Sequence, residues 1–289
     1  MQDMKGRTAL ITGSSRGVGE AIALRLAEAG ANVVITGKTE TPHPKLPGTI
    51  HSVAEECERR GGQALAIRMD LRSEADIEAA VAKTVEHFGG LDILVNNASA
   101  QTFTRTLDTT PKQFDLLMGV NTRGTFLMGR AAIPHLMESK NPHILTIAAP
   151  LNPDPRWFAE RLARTISKYG MAMCAAGWAE EFREQGIASN ALWPRHAVAT
   201  MAVKVFSPDM YDYCRKVEIM SEAAYRILRR PASAGTGRFW LDDDVLRDEG
   251  VSEAEIEAYW MHPTKRSSTS SFLDYDARQQ AKALIGAEE

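Results

Sequence analysis

TALITGSSRGVGEAIALRLAEAG, residues 8–30, decides how the rest of the chain is read. A β-branched and aliphatic run, 8–12, meets a turn holding Gly13, Gly17 and Gly19, and a stretch of helical period, 17–29, then runs to Gly30. A strand, three glycines and a helix start are what a pyrophosphate requires: a tight turn, close backbone approach, and N–H groups facing negative charge at a helix N-terminus. Three glycines at a strand end also make an ordinary turn, so the context decides. Outward from this stretch, short apolar runs at 31–36, 64–69, 91–96, 143–148 and 187–192 alternate with helical stretches. That alternation predicts a parallel sheet covered on both faces, a Rossmann-like, doubly wound α/β fold in three layers with seven strands. A helix over 73–88 starts at Ser73 and stops at Gly89-Gly90, Pro111 suits a first turn, and 156–184 reads as one long helix with Phe158, Leu162, Ile166 and Met173 near one face. The three prolines of KTETPHPKLPGT, 38–49, exclude helix and central strand and make it a loop.

With 289 residues, 44% of them apolar and 25% charged, the chain can bury one large core. A net charge of -3 with both signs dispersed gives no basic patch, so neither nucleic acid nor a membrane surface is an expected partner. Cys57, Cys174 and Cys214 are odd in number and lack metal-ligand spacing, so no disulfide and no metal is expected. The start, MQDMKGRTALITG, has no long apolar stretch. A cytoplasmic protein is the expectation.

Further landmarks follow in order: Asp70 after the third strand, NNAS at 96–99 after the fourth, Asn121 on the next helix, Lys168, and Asn190 before Trp193-Pro194. Together with the glycine turn they resemble the short-chain dehydrogenase/reductase family over roughly 1–240. The proline loop, VNTRGTFL, TISKYGM and NALWP resemble its hydroxysteroid-dehydrogenase-like branch, whose animal members append a sterol-carrier domain; these 289 residues are expected to correspond to the reductase domain alone. The expected division is a nucleotide-binding domain, 1–240, and an extension, 241–289, with Tyr259, Trp260 and Phe272, packed on that domain or on a subunit interface. The resemblance implies cofactor contacts at Gly13, Ser15, Arg16, Gly17, Val18, Gly19, Lys38, Asp70, Asn97, Lys168 and Val198, and a homodimer or homotetramer. The second strand ends Thr36-Gly37-Lys38, with no carboxylate before Glu40 and with Arg16 in reach, which favours the 2′-phosphate of NADP(H) over NAD. NAD held through backbone contacts is the alternative.

In the wider family a tyrosine exchanges the proton while hydride moves, a lysine four residues later tunes it, a serine positions the carbonyl, and an asparagine anchors a water. Lys168 and Asn121 match. Arg164 stands at the tyrosine position and Ala149, beside Ala148, at the serine position. Arginine stays protonated, so it is no ordinary general acid, yet it can hold a carboxylate, phosphate or developing oxyanion. Facing solvent, it would pair with Glu160 instead. Sharing a helix face with a ribose-binding lysine favours the inward placement. Thr146, Tyr169, His143 and His196 are weaker proton handlers, and Arg195 and Arg156 would add cations for an anionic substrate. The expected activity is an NADP(H)-dependent oxidoreductase on a small molecule, an anionic or conjugated carbonyl, with Lys168, Asn121 and Arg164 in catalysis. The alternatives are a nucleotide-binding protein without turnover and a non-redox lyase.

Overall fold

The computed structural model describes residues 3–44, 46, 48–159, 161–268 and 273. Seven strands, β1 (Thr8–Ile11), β2 (Asn32–Gly37), β3 (Gln63–Arg68), β4 (Ile93–Asn96), β5 (His143–Thr146), β6 (Ala188–Trp193) and β7 (Phe239–Leu241), form one sheet in the order β3-β2-β1-β4-β5-β6-β7. Every pairing is parallel. Residues alternate between faces, so Ile11 and Val33 enter one core while Leu10 and Val34 enter the other.

The helices are α1 (Gly17–Glu28), α2 (Ile50–Arg59), α3 (Glu74–Phe88), α4 (Pro111–Leu117), α5 (Gly124–Leu136), α6 (Arg156–Ala159), α7 (Leu162–Glu181), α8 (Met201–Phe206), α9 (Pro208–Tyr211), α10 (Glu218–Leu228), α11 (Asp242–Asp248) and α12 (Glu253–Glu257). Helices α1, α2 and α10 pack together on one side, α3, α5 and α7 on the other. Ser73 accepts a bond from Asp76 N at the start of α3, and Gly89 closes that helix at φ 82°. A π-helical turn, Met118–Arg123, joins α4 to α5. Strand order reverses between β1 and β4, and the crevice at their carboxyl ends is where such sheets hold ligands.

The single helix read over 156–184 is two. Arg161 leaves the helical region (φ -146°, ψ 49°), and the Thr165 hydroxyl donates to the Trp157 carbonyl at 2.8 Å. The expected apolar stripe is also not the buried one: Leu162, Ile166 and Met173 are exposed, whereas Ala163, Arg164, Ser167, Lys168, Met171 and Ala172 face inward. After β7, α11 packs on α10, and Trp260 pairs with Arg215 in an isolated bridge. Glu160 and Phe272 lie outside the described residues. Among the described residues no helix is long and apolar enough to cross a membrane, and no cluster could hold a metal ion.

Candidate active site

The glycine turn is shaped by contacts that leave no room for side chains. Gly13 (φ 65°) would put a Cβ 2.8 Å from the Ala98 backbone, and Gly19 would drive one into the Asn97 amide. Asn97 is the clamp of this corner. Its Nδ2 donates to the carbonyls of Thr12 (2.9 Å) and Gly13 (3.1 Å), while its backbone N–H and that of Ala98 donate to Thr12 Oγ1, each at 3.0 Å. Gly17 (φ 66°) differs, for the space beside it is bounded only by Thr200, at 3.6 Å. Ser14 Oγ accepts from Thr36 N (2.9 Å), fixing β2 against the turn, and Ser15 and Val18 sit within the same loop and first helical turn.

At the β2 end, Arg16 Nη2 donates to the Gly48 carbonyl at 2.9 Å and to Leu46 at 3.4 Å, which folds the proline loop onto the glycine turn. Its Nε is buried with no hydrogen-bond partner. Lys38 is more than half exposed, 3.7 Å from Asp70. Asp70 is gripped by Arg72 at 2.5 Å, which holds its carboxyl well below the usual range. Glu40, the first carboxylate after β2, lies 3.4 Å from Arg68.

Lys168 is fully enclosed. Its Nζ faces the Ile147 carbonyl at 3.4 Å, the Met171 sulfur at 3.7 Å and the Trp193 ring at 5.6 Å. Burial, with the charge of Arg164 second, pulls its pKa down to about 7. Arg164, one turn earlier on the same face, is 9% exposed, and its Nε donates to Gln101 Oε1 at 2.8 Å. Burial, then the charge of Arg161, lowers it to about 10, so it is a cation at neutral pH. Asn121, on the π-turn, uses its whole amide locally. Oδ1 accepts from Ala100 N (2.7 Å), and Nδ2 donates to Ala100 O (3.0 Å) and Ser167 Oγ (2.9 Å). It therefore grips the lysine's helix through Ser167. Ala149 is sealed in an apolar cluster with Trp193, Leu241 and Leu273.

The chain's sequence matches the profile of the family described as short chain dehydrogenase over residues 7–209. It belongs to the short chain dehydrogenase family. Hydroxysteroid dehydrogenase-like protein 2 of Danio rerio is 51% identical over 94% of the chain and 65% of its own length. The Homo sapiens protein of that name is 50% identical over 94% and 64%. The chain thus spans just under two thirds of those relatives. A solved short chain dehydrogenase from Mycobacterium thermoresistibile superposes with a TM-score of 0.89 at 44% identity, covering 94% of this chain and 96% of that one. A metagenomic short-chain oxidoreductase solved in complex with NADP shares 25% identity over 83% of this chain and 97% of that one, at a TM-score of 0.68.

In this short chain dehydrogenase the weaker candidates are engaged elsewhere. Tyr169 donates to the Asn152 carbonyl at 2.6 Å and stacks edge-on against Phe158, pinning the loop after β5. His143 is buried at the far end of β5, against the Arg230 carbonyl at 3.0 Å, and burial lowers it to about 4. His196 packs on Trp260 with Nδ1 3.2 Å from the Ser267 carbonyl, and its pKa is lowered, chiefly by burial. Arg195 is not a pocket cation, because Asp243 takes its Nε at 2.7 Å and Asp244 its Nη2 at 2.7 Å. Arg156 pairs with Asp154 at 2.9 Å on an exposed turn. Thr146 lies on β5 with its buried hydroxyl unpartnered.

Sequence reading missed Gln101 and Ser167, which contact Arg164 and Asn121, whereas Trp193, beside Lys168, was already a landmark. Ser167 carries a usable signal: a polar residue adjacent to the lysine, three positions from Arg164, falls on the buried face once that face is known. Gln101 arrives from a separate loop, and nothing local announces it.

Proposed function

We propose that the protein is an NADP(H)-dependent oxidoreductase in which Lys168 handles the proton and Arg164, in place of a tyrosine, stabilises negative charge on the reacting oxygen. The observation that carries this reading is the pairing on one buried helix face of a lysine titrating near neutrality and an arginine that remains charged. A general acid works best with a pKa near the operating pH. Among the described residues no hydroxyl offers that pKa at this face, and Lys168 does.

The residues present fit the dinucleotide. The turn at Gly13, Gly17 and Gly19 opens beside Thr200, and the orphaned Nε of Arg16 leaves a buried donor free on the side where a 2′-phosphate would stand, with Lys38 adding a second cation. Arg16, Lys38 and the absence of a carboxylate before Glu40 support NADP(H) over NAD. When bound, NADPH supplies the hydride. Lys168 gives its proton to the oxygen of the reduced carbonyl, or to the α-carbon side after conjugate reduction, and recovers one from solvent. Arg164 donates to that oxygen, and the Gln101 bond holds its guanidinium in plane. A substrate with its own carboxylate or conjugated carbonyl suits two adjacent cations, because a bound anion relieves their repulsion. Exposed Phe126 on α5, with Leu162, Ile166 and Met173 on α7, supports assembly into a homodimer or homotetramer.

A second reading, a nucleotide-binding protein without turnover, is favoured by Ala149, a fully buried residue packed with Trp193, Leu241 and Leu273 that supplies no hydroxyl where a carbonyl-positioning one would be wanted. Titration of NADPH and NADH into wild type and an Arg164→Tyr/Ala149→Ser variant, with turnover on a panel of carbonyls and enoyl compounds, separates the two. Tighter NADPH binding and turnover by wild type uphold the enzyme. Turnover only after both hydroxyls are restored upholds the binding protein.

A further inference from the structure

Asp243 lies at the start of α11, wholly buried, and three arginines converge on it from three places in the chain. Arg195, from the turn after β6, approaches at 2.7 Å, Arg215 at 3.1 Å and Arg247 at 3.2 Å. Its neighbours complete the cluster. Asp242 Oδ1 accepts the backbone N–H of Arg195 at 2.9 Å, and Asp244 takes the Arg195 Nη2. Burying charge is a poor source of stability, since the desolvation cost commonly equals or exceeds the attraction. What such a cluster does supply is a fixed arrangement of the segments that enter it.

Those segments border the site. Arg195 stands two residues after Trp193, whose ring forms a wall of the Lys168 pocket. Arg215 brackets Val198 by main-chain bonds, its N–H donating to the Ala197 carbonyl and its carbonyl accepting from Ala199 N, each at 2.8 Å. The Arg215 guanidinium also stacks on Trp260, 4.9 Å from the ring, which in turn packs on His196. Both ends of the stretch 195–199 therefore hang on one carboxylate.

We propose that Asp243 is a positioning residue for the nicotinamide end of the cofactor pocket, acting through Arg195 and Arg215 on the Trp193–Ala199 segment, while the adenosine end at Arg16 and Lys38 stands independent of it. The inference rests on the NADP(H) reading and divides that pocket into two mechanically separate halves. The adenosine half is built on β1, β2 and the proline loop. The other half is the turn after β6, held by the extension beyond β7.

The test compares NADPH with adenosine 2′,5′-bisphosphate, which carries the adenosine half alone, by calorimetric titration into wild type, Asp243→Asn and Arg195→Gln. Thermal unfolding of each protein is measured alongside. The expected result is at least tenfold weaker NADPH binding in both variants, with the bisphosphate within about twofold of wild type and less blue shift of bound NADPH fluorescence. If Asp243→Asn does not fold, Arg195→Gln, at a partly exposed site, carries the same comparison. Equal weakening of both ligands, or no weakening of either, overturns the positioning role while leaving the cofactor reading intact. Failure of wild type to bind either ligand overturns the cofactor reading and this inference with it.

Discussion

Arg164 changes what Lys168 can do. With a tyrosine at 164 the lysine would have a phenol to tune, whereas a guanidinium beside it is a second cation, and the two lie on a buried face of the helix. The charge of Arg164 adds to burial in lowering Lys168 to about 7. Carbonyl reduction needs the ammonium form, so kcat/KM for reduction should hold at low pH and fall as pH rises through about 7. Arg164→Gln removes the second cause of the shift and should move that fall to higher pH while lowering the rate by roughly 10²-fold or more, as loss of an oxyanion donor does. A pH–rate profile of both proteins checks it. The same shift has a cost in stability. Lys168 titrates lower in the fold than its ordinary value of 10.5, so its contribution is favourable above that value and is lost as pH falls through about 7. Lys168→Met should accordingly unfold at a higher temperature than wild type at pH 6, with the gap closing by about pH 10.5.

Helix α7 brings these side chains to the sheet, and its small residues decide how closely it can approach. A Cβ on Gly170 would come within 2.9 Å of the Thr122 Cβ on the π-turn, whereas one on Gly177 meets nothing within 4 Å. Gly170→Ala should destabilise by about 1–3 kcal/mol, the usual cost of overpacking, and Gly177→Ala should stabilise by about 0.5–1 kcal/mol through helix propensity. Denaturant unfolding of the pair is a matched test within one helix. Much of this level was legible in advance: apolar runs marked six strands, Ser73 and Gly89 bounded α3, and three prolines marked the loop at 38–49. The rest escaped because its cause is not local. The break at Arg161 depends on Thr165 reaching back to Trp157. The outward face of α7 carries apolar residues, so a hydrophobic stripe pointed to the wrong side. Strand β7 is three residues long and follows Gly235 and Gly237. The acidic run at 242–244 reads as a favourable first helical turn, and nothing in it announces the arginines at 195, 215 and 247 that it meets.

At the scale of the molecule, the landmarks of the cradle, Lys168 and Asn121 are spread over more than 150 positions, and the parallel sheet gathers them beyond the carboxyl ends of its central strands. Their family pattern was readable from the sequence, as was the inward placement of Arg164. The role of Arg195 was not, because its partners lie beyond β7. Assembly is a property of this scale too. Phe126 is 51% exposed and Met173 64%, and charges there should split a homo-oligomer without touching the cradle. Phe126→Glu/Met173→Glu should therefore elute at a smaller mass in light scattering after size exclusion, with NADPH binding retained. The most direct test of the whole account is hydride transfer itself. NADPH deuterated at C4 on the pro-R face and, separately, on the pro-S face is incubated with wild type and a panel of charged carbonyl and enoyl compounds, and products are read by mass spectrometry. Wild type should give a singly deuterated product with one of the two labelled cofactors, and Lys168→Met should give none with either. A wild type that never labels a product, beside an Arg164→Tyr/Ala149→Ser variant that does, would contradict it.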